Sequence, residues 1–215
     1  MLRQKSEETV NLDRWELLVE RLELEDASDW NMRLRSFLAM DSAAVIHHMY
    51  RTELAVSDTE TASLYMFDYT SPKANVVADA RQLTGGCMLS VTEDLTNVSF
   101  KVSRRVHKVL ESLAASATGS AIIRFPEDPD FDENVTVFSR DEAGVKRVLT
   151  KQVRAILHRA LYEREANPTF LMGERQLLFT AAADANDANR LKPIELLSAD
   201  LLSLYALFKQ AKSGI

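Results

Sequence analysis

The sequence predicts an α+β fold: a largely antiparallel, curved sheet covered by helices, with an N-terminal helical segment ahead of it. Three observations carry that expectation. Apolar residues recur at three- and four-residue steps in the first sixty residues and again near the C-terminus, which is helical spacing. Between them lie short runs rich in branched and aromatic residues, bounded by Pro, Gly or polar clusters, which is strand chemistry. A 46% hydrophobic content, with only 6 Gly and 5 Pro in 215 residues, leaves collagen-like and largely disordered readings without support.

The elements follow in order. Leu12, Trp15, Leu18, Val19 and Leu22 form one apolar stripe, hence a first helix. Ser28 or Asp29 caps a second, carrying Trp30, Leu34, Phe37 and Leu38. Asp41 or Ser42 caps a third, with Val45, Ile46 and Met49. Together they make an acidic helical N-terminal segment, 1–60, before an α+β domain, 61–215. Residues 63–69 are an aromatic strand closed by Thr70-Ser71-Pro72. A polar stretch over 73–84 leads to a turn at Gly85-Gly86, followed by strands at 87–91 and 98–102. Val106, Val109, Leu110, Leu113 and Ala114 predict a short helix that Gly119 ends. Residues 121–125 and 135–138 are strands.

Ser139-Arg140-Asp141-Glu142 has the form of a capping box, the serine side chain satisfying a free amide. It opens a single helix of about four turns, with Val145, Val148, Leu149, Val153, Ile156, Leu157 and Ala160 on one side. Pro168 limits its extension. Residues 169–172 and 176–180 pair as a hairpin around Gly173-Glu174-Arg175. After a polar loop over 184–192, Pro193 suits the first turn of a closing helix with Ile194, Leu197, Leu201, Leu204, Tyr205 and Phe208 buried.

The formal net charge of −6 is unevenly placed. Residues 1–60 hold 13 acidic and 7 basic side chains, the whole excess of 6, whereas 61–215 hold 19 of each. An acidic head on a neutral body argues against wholesale nucleic-acid binding, where phosphate contacts dominate. The one cysteine, Cys87, excludes an intrachain disulfide and a thiolate metal cluster. No stretch approaches the roughly 18 apolar residues of a membrane span, and the opening Met-Leu-Arg-Gln-Lys-Ser-Glu-Glu lacks the apolar core of a signal peptide. The expectation is a soluble, cytoplasmic protein.

One further pattern concerns residues 64–208. An aromatic strand ends in Phe67-Asp68-Tyr69, and a strand at Phe100 leads towards a helix. Then come Ile123-Arg124-Phe125-Pro126-Glu127-Asp128-Pro129-Asp130-Phe131, Val135-Thr136-Val137, and a helix from Asp141-Glu142 with Val145, Arg147 and Leu149-Thr150. This order resembles a bacterial family of uncharacterised proteins, often membrane-anchored. Members tend to have a Phe-x-Leu-x-Pro-like entry where this chain has Phe100-Lys101-Val102-Ser103-Arg104, and membrane spans where it has acidic helices. The resemblance implies no activity and no catalytic residues.

Among chemical motifs, the alternating carboxylates Asp128, Asp130 and Asp132 match the opening of a calcium loop. Glu133 replaces its glycine and Ser139 its closing glutamate, so the segment is read as a solvated turn with Phe131 inward. His47 and His48, adjacent on a helix, diverge by about 100° and cannot share a metal; His107 and His158 fall on separate helices. Cys87 is expected to be a core residue. No phosphate loop, dinucleotide fingerprint or nucleophile elbow is present, and neither metal nor cofactor is expected.

Arg147, Lys151, Arg154 and His158 recur at steps of four, three and four, predicting a positive stripe away from the apolar face; Lys101, Arg104, Arg105 and Lys108 add a second cluster. These are the residues through which an anionic partner, RNA or an acidic protein surface, would bind. The acidic head is another candidate for that stripe. The leading functional expectation is a non-catalytic protein-interaction or assembly domain that meets a partner or a second copy through its N-terminal helices. The alternatives are an enzyme assembled from dispersed groups such as Asp68, Tyr69, Arg124 and Asp128, and, more weakly, the RNA or anionic-partner binder.

Overall fold

The structure, a computed structural model, describes residues 15–40, 42–55, 61–72, 81–105, 115–116, 118–164, 167–183 and 191–213. Its frame is an open nine-stranded sheet: β1 (Glu25–Asp26), β2 (Val45–Ala55), β3 (Thr61–Pro72), β4 (Arg81–Val91), β5 (Phe100–Arg104), β6 (Ala121–Ile123), β7 (Val135–Ser139), β8 (Thr169–Met172) and β9 (Gln176–Ala183). The strand order is β1-β2-β3-β4-β9-β8-β5-β7-β6, and every neighbouring pair is antiparallel. The fold is therefore mixed α+β.

Helices pack on both faces, unequally. The first face carries the larger core, in which Phe100, Val102, Val137, Phe170 and Phe179 meet residues of five helical segments. These are the N-terminal helix (residues 15–22), the short α2 (Pro129–Asn134) through Phe131, α3 (Glu142–Val148), α4 (Lys151–Tyr162) and α5 (Leu191–Ser213). On the second face a 3₁₀ turn (Ser28–Trp30) and α1 (Asn31–Phe37) lie over Met49, Tyr65, Phe67, Met88 and Leu178. Helix α2 precedes β7.

The N-terminal residues are a strap around the sheet edge. The helix of residues 15–22 lies on the first face, β1 pairs with β2 at the edge, and α1 lies on the second face. Ala27 N–H donates to Met49 O at 2.9 Å, and Arg35 donates to Ala44 O at 2.6 Å, tying the strap to β2. Such a cover shields the backbone groups that an edge strand leaves open to other chains.

Four sequence expectations are corrected. Residues 45–55, read as part of a helical segment running to residue 60, form β2, which pairs with β3. A register shift between Ile46 and His48 puts Ile46 and Met49, three residues apart, against the same core, so a bulged strand imitates helical spacing. Gly85-Gly86 is not a turn but the middle of β4. The helix predicted from 142 to 160 is two helices, broken at Leu149 (ψ 63°), with Thr150 Oγ1 accepting from Val153 N–H to start α4. The cap of α3 is Asp141, whose Oδ1 accepts from Gly144 N–H at 2.8 Å. Ser139 is still in the ladder opposite Phe100; its Oγ accepts from Asp141 N–H at 3.1 Å, ahead of the helix, and its hydroxyl donates to Ser99 O at 2.8 Å. The helix expected at 106–114 lies outside the described residues. The hairpin of β8 and β9 and the closing helix stand where the sequence puts them.

The paired glycines serve close packing. A Cβ on Gly85 would lie 2.6 Å from Ile194 Cδ1 of α5, and one on Gly86 would lie 2.6 Å from Phe179 O and 2.7 Å from Phe67 Cζ. Ile194 can rotate away, whereas a backbone carbonyl cannot. Gly86→Ala is expected to cost about 2–3 kcal/mol and Gly85→Ala about 1 kcal/mol or less, measured by urea unfolding. Equal losses would remove this account of β4.

Candidate functional site

The predicted positive stripe is not a stripe. Arg147 belongs to α3 and Lys151, Arg154 and His158 to α4, across the break at Leu149. Lys151 is exposed, but Arg154 is only 7% exposed. Its Nε donates to Asp128 Oδ2 at 2.8 Å, its Nη1 donates to Leu149 O at 2.8 Å and lies 3.2 Å from Glu127, and its guanidinium sits 5.0 Å from the Phe125 ring. Arg154 thus satisfies the carbonyl at the helix break and pins the acidic segment, which makes it a strut. His158 stacks on Tyr162 at 4.9 Å, with Arg104 on that ring too, 4.7 Å away. Arg104 Nε donates to Leu161 O, and Arg105 N–H to Asn134 O.

Lys101 is separated from Arg104 by the alternation of a strand. Phe100 and Val102 face the larger core with Arg104 on their side, and Lys101 points to the opposite face. Lys108 and His107 lie outside the described residues. The acidic head does not lie on the stripe where it is described: Arg21 of the N-terminal helix pairs with Glu195 of α5 at 2.7 Å.

Nor do the dispersed polar residues share a place. Asp68 and Tyr69 are on β3, whereas Arg124 follows β6, six strand positions along the sheet, about 29 Å at strand spacing. Asp128 is held by Arg154, and Arg124 lies 4.0 Å from Asp132. The acidic segment is α2, with Phe131 buried as expected and Asp132 Oδ1 accepting from Phe125 N–H at 2.8 Å. Cys87 is fully buried, and burial pushes its thiol up. Among the described residues no three His, Cys, Asp or Glu side chains stand close enough to hold a metal, and no helix is long and apolar enough to cross a membrane.

Two buried polar clusters escaped the sequence reading. Asp68 is 3% exposed; its Oδ1 accepts from His48 N–H at 3.1 Å and meets His48 Nδ1 at 2.9 Å, and its Oδ2 accepts from Trp15 Nε1 at 3.0 Å. The Trp15 ring stacks on His48 at 5.3 Å and leans on Tyr50 at 5.5 Å. Burial, then the carboxylates of Asp26, Asp68 and Glu16, push the Tyr50 hydroxyl up. Among the described residues the His48 ring bonds to Asp68 alone, so the pair orients the imidazole without a nucleophile in reach. The second cluster is Asp200 of α5, 1% exposed, clamped by Arg159 at 2.6 Å and by Arg164 at 2.9 Å. The only sequence signals were a carboxylate inside an aromatic strand and one inside an apolar helix stripe.

Two hollows of the described residues meet at Asn97 and Asp141; another, about 630 Å³, lies between the N-terminal helix and the start of α5, with Leu17 and Lys192 in its lining. Of the two that meet, one, about 570 Å³, lies at the end of the sheet where Phe100, Ser139 and Met172 are in register, with Phe138 and Leu171 of the second face in its lining and Lys101 and Arg140 among its polar groups. The other, about 870 Å³, lies between the loop of residues 92–98, α3 and the end of α5. Its Arg175 pairs with Asp94 at 2.6 Å and its Lys212 with Glu93 at 3.2 Å. Arg147 lines it as well. Of the seven predicted basic residues that are described, Lys101 and Arg147 line these two hollows. Comparison of the chain with protein-family models, curated proteins and solved structures finds no match.

Proposed function

We propose that this chain is a non-catalytic interaction or assembly domain that associates with a second copy through the outer surface of its N-terminal strap. The observation that carries the reading is exposure of large apolar side chains there: Leu17 is 65% exposed and Met32 76%. Such side chains are costly to leave in water and lose that cost in an interface. The buried ionisable groups support the non-catalytic part, since Asp68, Arg154 and Asp200 are each committed to partners within the fold. The resemblance to an uncharacterised, often membrane-anchored bacterial family adds no activity to this reading.

The test is size-exclusion chromatography with light scattering on the full chain and on Leu17→Ser and Met32→Ser, at about 100 μM, ample for a micromolar interface. Deleting residues 1–60 is unsuitable, because it removes β1 and β2 and bares β3. The expected result is a multiple of the monomer mass, lowered by at least one substitution. A monomer throughout overturns the self-association.

A further inference from the structure

The cover that α1 gives the second face stops at the β8–β9 hairpin. A Cβ on Gly173 would lie 3.3 Å from Phe37 at the end of α1, and among the described residues the apolar cluster beneath that helix ends at Leu171. Beyond it the face of β5, β7 and β6 borders the 570 Å³ hollow. The register sets a single row across it: Leu171 on β8 is opposite Lys101 on β5, Lys101 is opposite Phe138 on β7, and Phe138 is opposite Ile122 on β6.

A lysine in the middle of an apolar row is unusual placement for a charge. Leu171, Phe138 and Ile122 are all half-buried, while Lys101 is exposed. The aliphatic stem of Lys101 can lie between Leu171 and Phe138 while its ammonium stays at the surface. Among the described residues that ammonium meets no carboxylate. The second cation, Arg140, donates to Thr118 O at 2.8 Å, which fixes its guanidinium at the rim. Asp141 also lines the hollow, with Oδ1 engaged by Gly144 N–H.

We infer that this hollow is a binding site for an amphiphilic anion, with a flat apolar body on Phe138 and Leu171 and a carboxylate or sulfonate on Lys101. An apolar floor with a few placed polar groups is what orients a small ligand. The row from Leu171 to Phe138 spans about 10 Å, two strand spacings, which suits a bicyclic ring system. The inference is independent of self-association, because it uses neither Leu17 nor Met32.

The probe is anilinonaphthalene sulfonate, titrated by fluorescence into the full chain, beside phenylnaphthylamine, which has a similar aromatic body and no charge. The expected result is saturable binding of one sulfonate dye per chain, with the neutral dye about tenfold weaker or more, as loss of a charge-assisted contact dictates. Lys101→Glu is expected to weaken the sulfonate dye about tenfold or more while changing the neutral dye little, and Phe138→Ser to weaken both. Lys101 is exposed, so the urea midpoint of Lys101→Glu serves as the check that it folds. Equal affinity for the two dyes, unchanged binding to a folded Lys101→Glu, or no saturable binding by the full chain overturns the site.

Discussion

Trp15→Ala is expected to lower the unfolding free energy by about 3–5 kcal/mol, the range for removing a large buried aromatic side chain. Trp15 is 1% exposed, and three contributions are lost together. Its apolar surface leaves the larger core, its stacking on His48 and Tyr50 disappears, and the buried Asp68 Oδ2 loses a donor. Trp15→Phe separates these contributions. It keeps a ring in the same stack and removes the indole N–H, so its cost is expected to be about 1–3 kcal/mol, that of leaving a buried acceptor unmet. Urea unfolding followed by far-ultraviolet dichroism measures both. Amide exchange adds a local readout: with Trp15 gone, the strap loses its anchor on the first face and β1–β2 exchange is expected to rise more than that of β8–β9. A uniform rise across the sheet would mean that Trp15 acts as core filling and not as the fastening of the strap.

The second large effect is at Asp200, and it is non-additive. Arg159 is 41% exposed at its side chain and Arg164 21%, against 1% for Asp200. Removing Arg159 alone loses a pair that solvent screens, about 0–1 kcal/mol, because Arg164 still neutralises the carboxylate. The proximity of Asp200, through its hydrogen bond, holds the Arg164 guanidinium to its proton still more firmly than usual. Removing both arginines strands a buried charge between α4 and α5, and the expected loss is about 3–5 kcal/mol. The double variant should therefore exceed the sum of the singles by about 1–3 kcal/mol. Asp200→Asn in the double-alanine background removes the stranded charge and is expected to recover part of the loss. Strict additivity, or no recovery with asparagine, would show that Asp200 reaches another counter-charge or water.

These clusters explain why part of the chain was legible and part was not. The aromatic strand at 63–69, the hairpin around Gly173 and the buried stripe of α5 were readable because their signals are local: alternation, a turn residue, a helical period. Charge alone singles out Lys101 and Arg147, and it says where cations are but not which way they face. Charge alone misplaces Arg154 for the same reason. Its partner Asp128 is 26 residues away, and that contact turns a residue with the spacing of a solvated face into an internal strut. Trp15 and Asp68 are 53 residues apart, and no periodicity links them.

By itself, then, the chain's order of residues determined an α+β protein, the apolar side of most helices and strands, and the position of its closing hairpin and helix. Tertiary structure alone decided that residues 45–55 pair as a strand, that two glycines lie in mid-sheet, that one helix becomes two, and that Lys101 lines a hollow with Phe138 and Leu171. The physical reason is that periodicity specifies which side of a segment avoids water, whereas its partner across the core decides the backbone form and what each buried charge meets. That partner is supplied by segments distant in the chain.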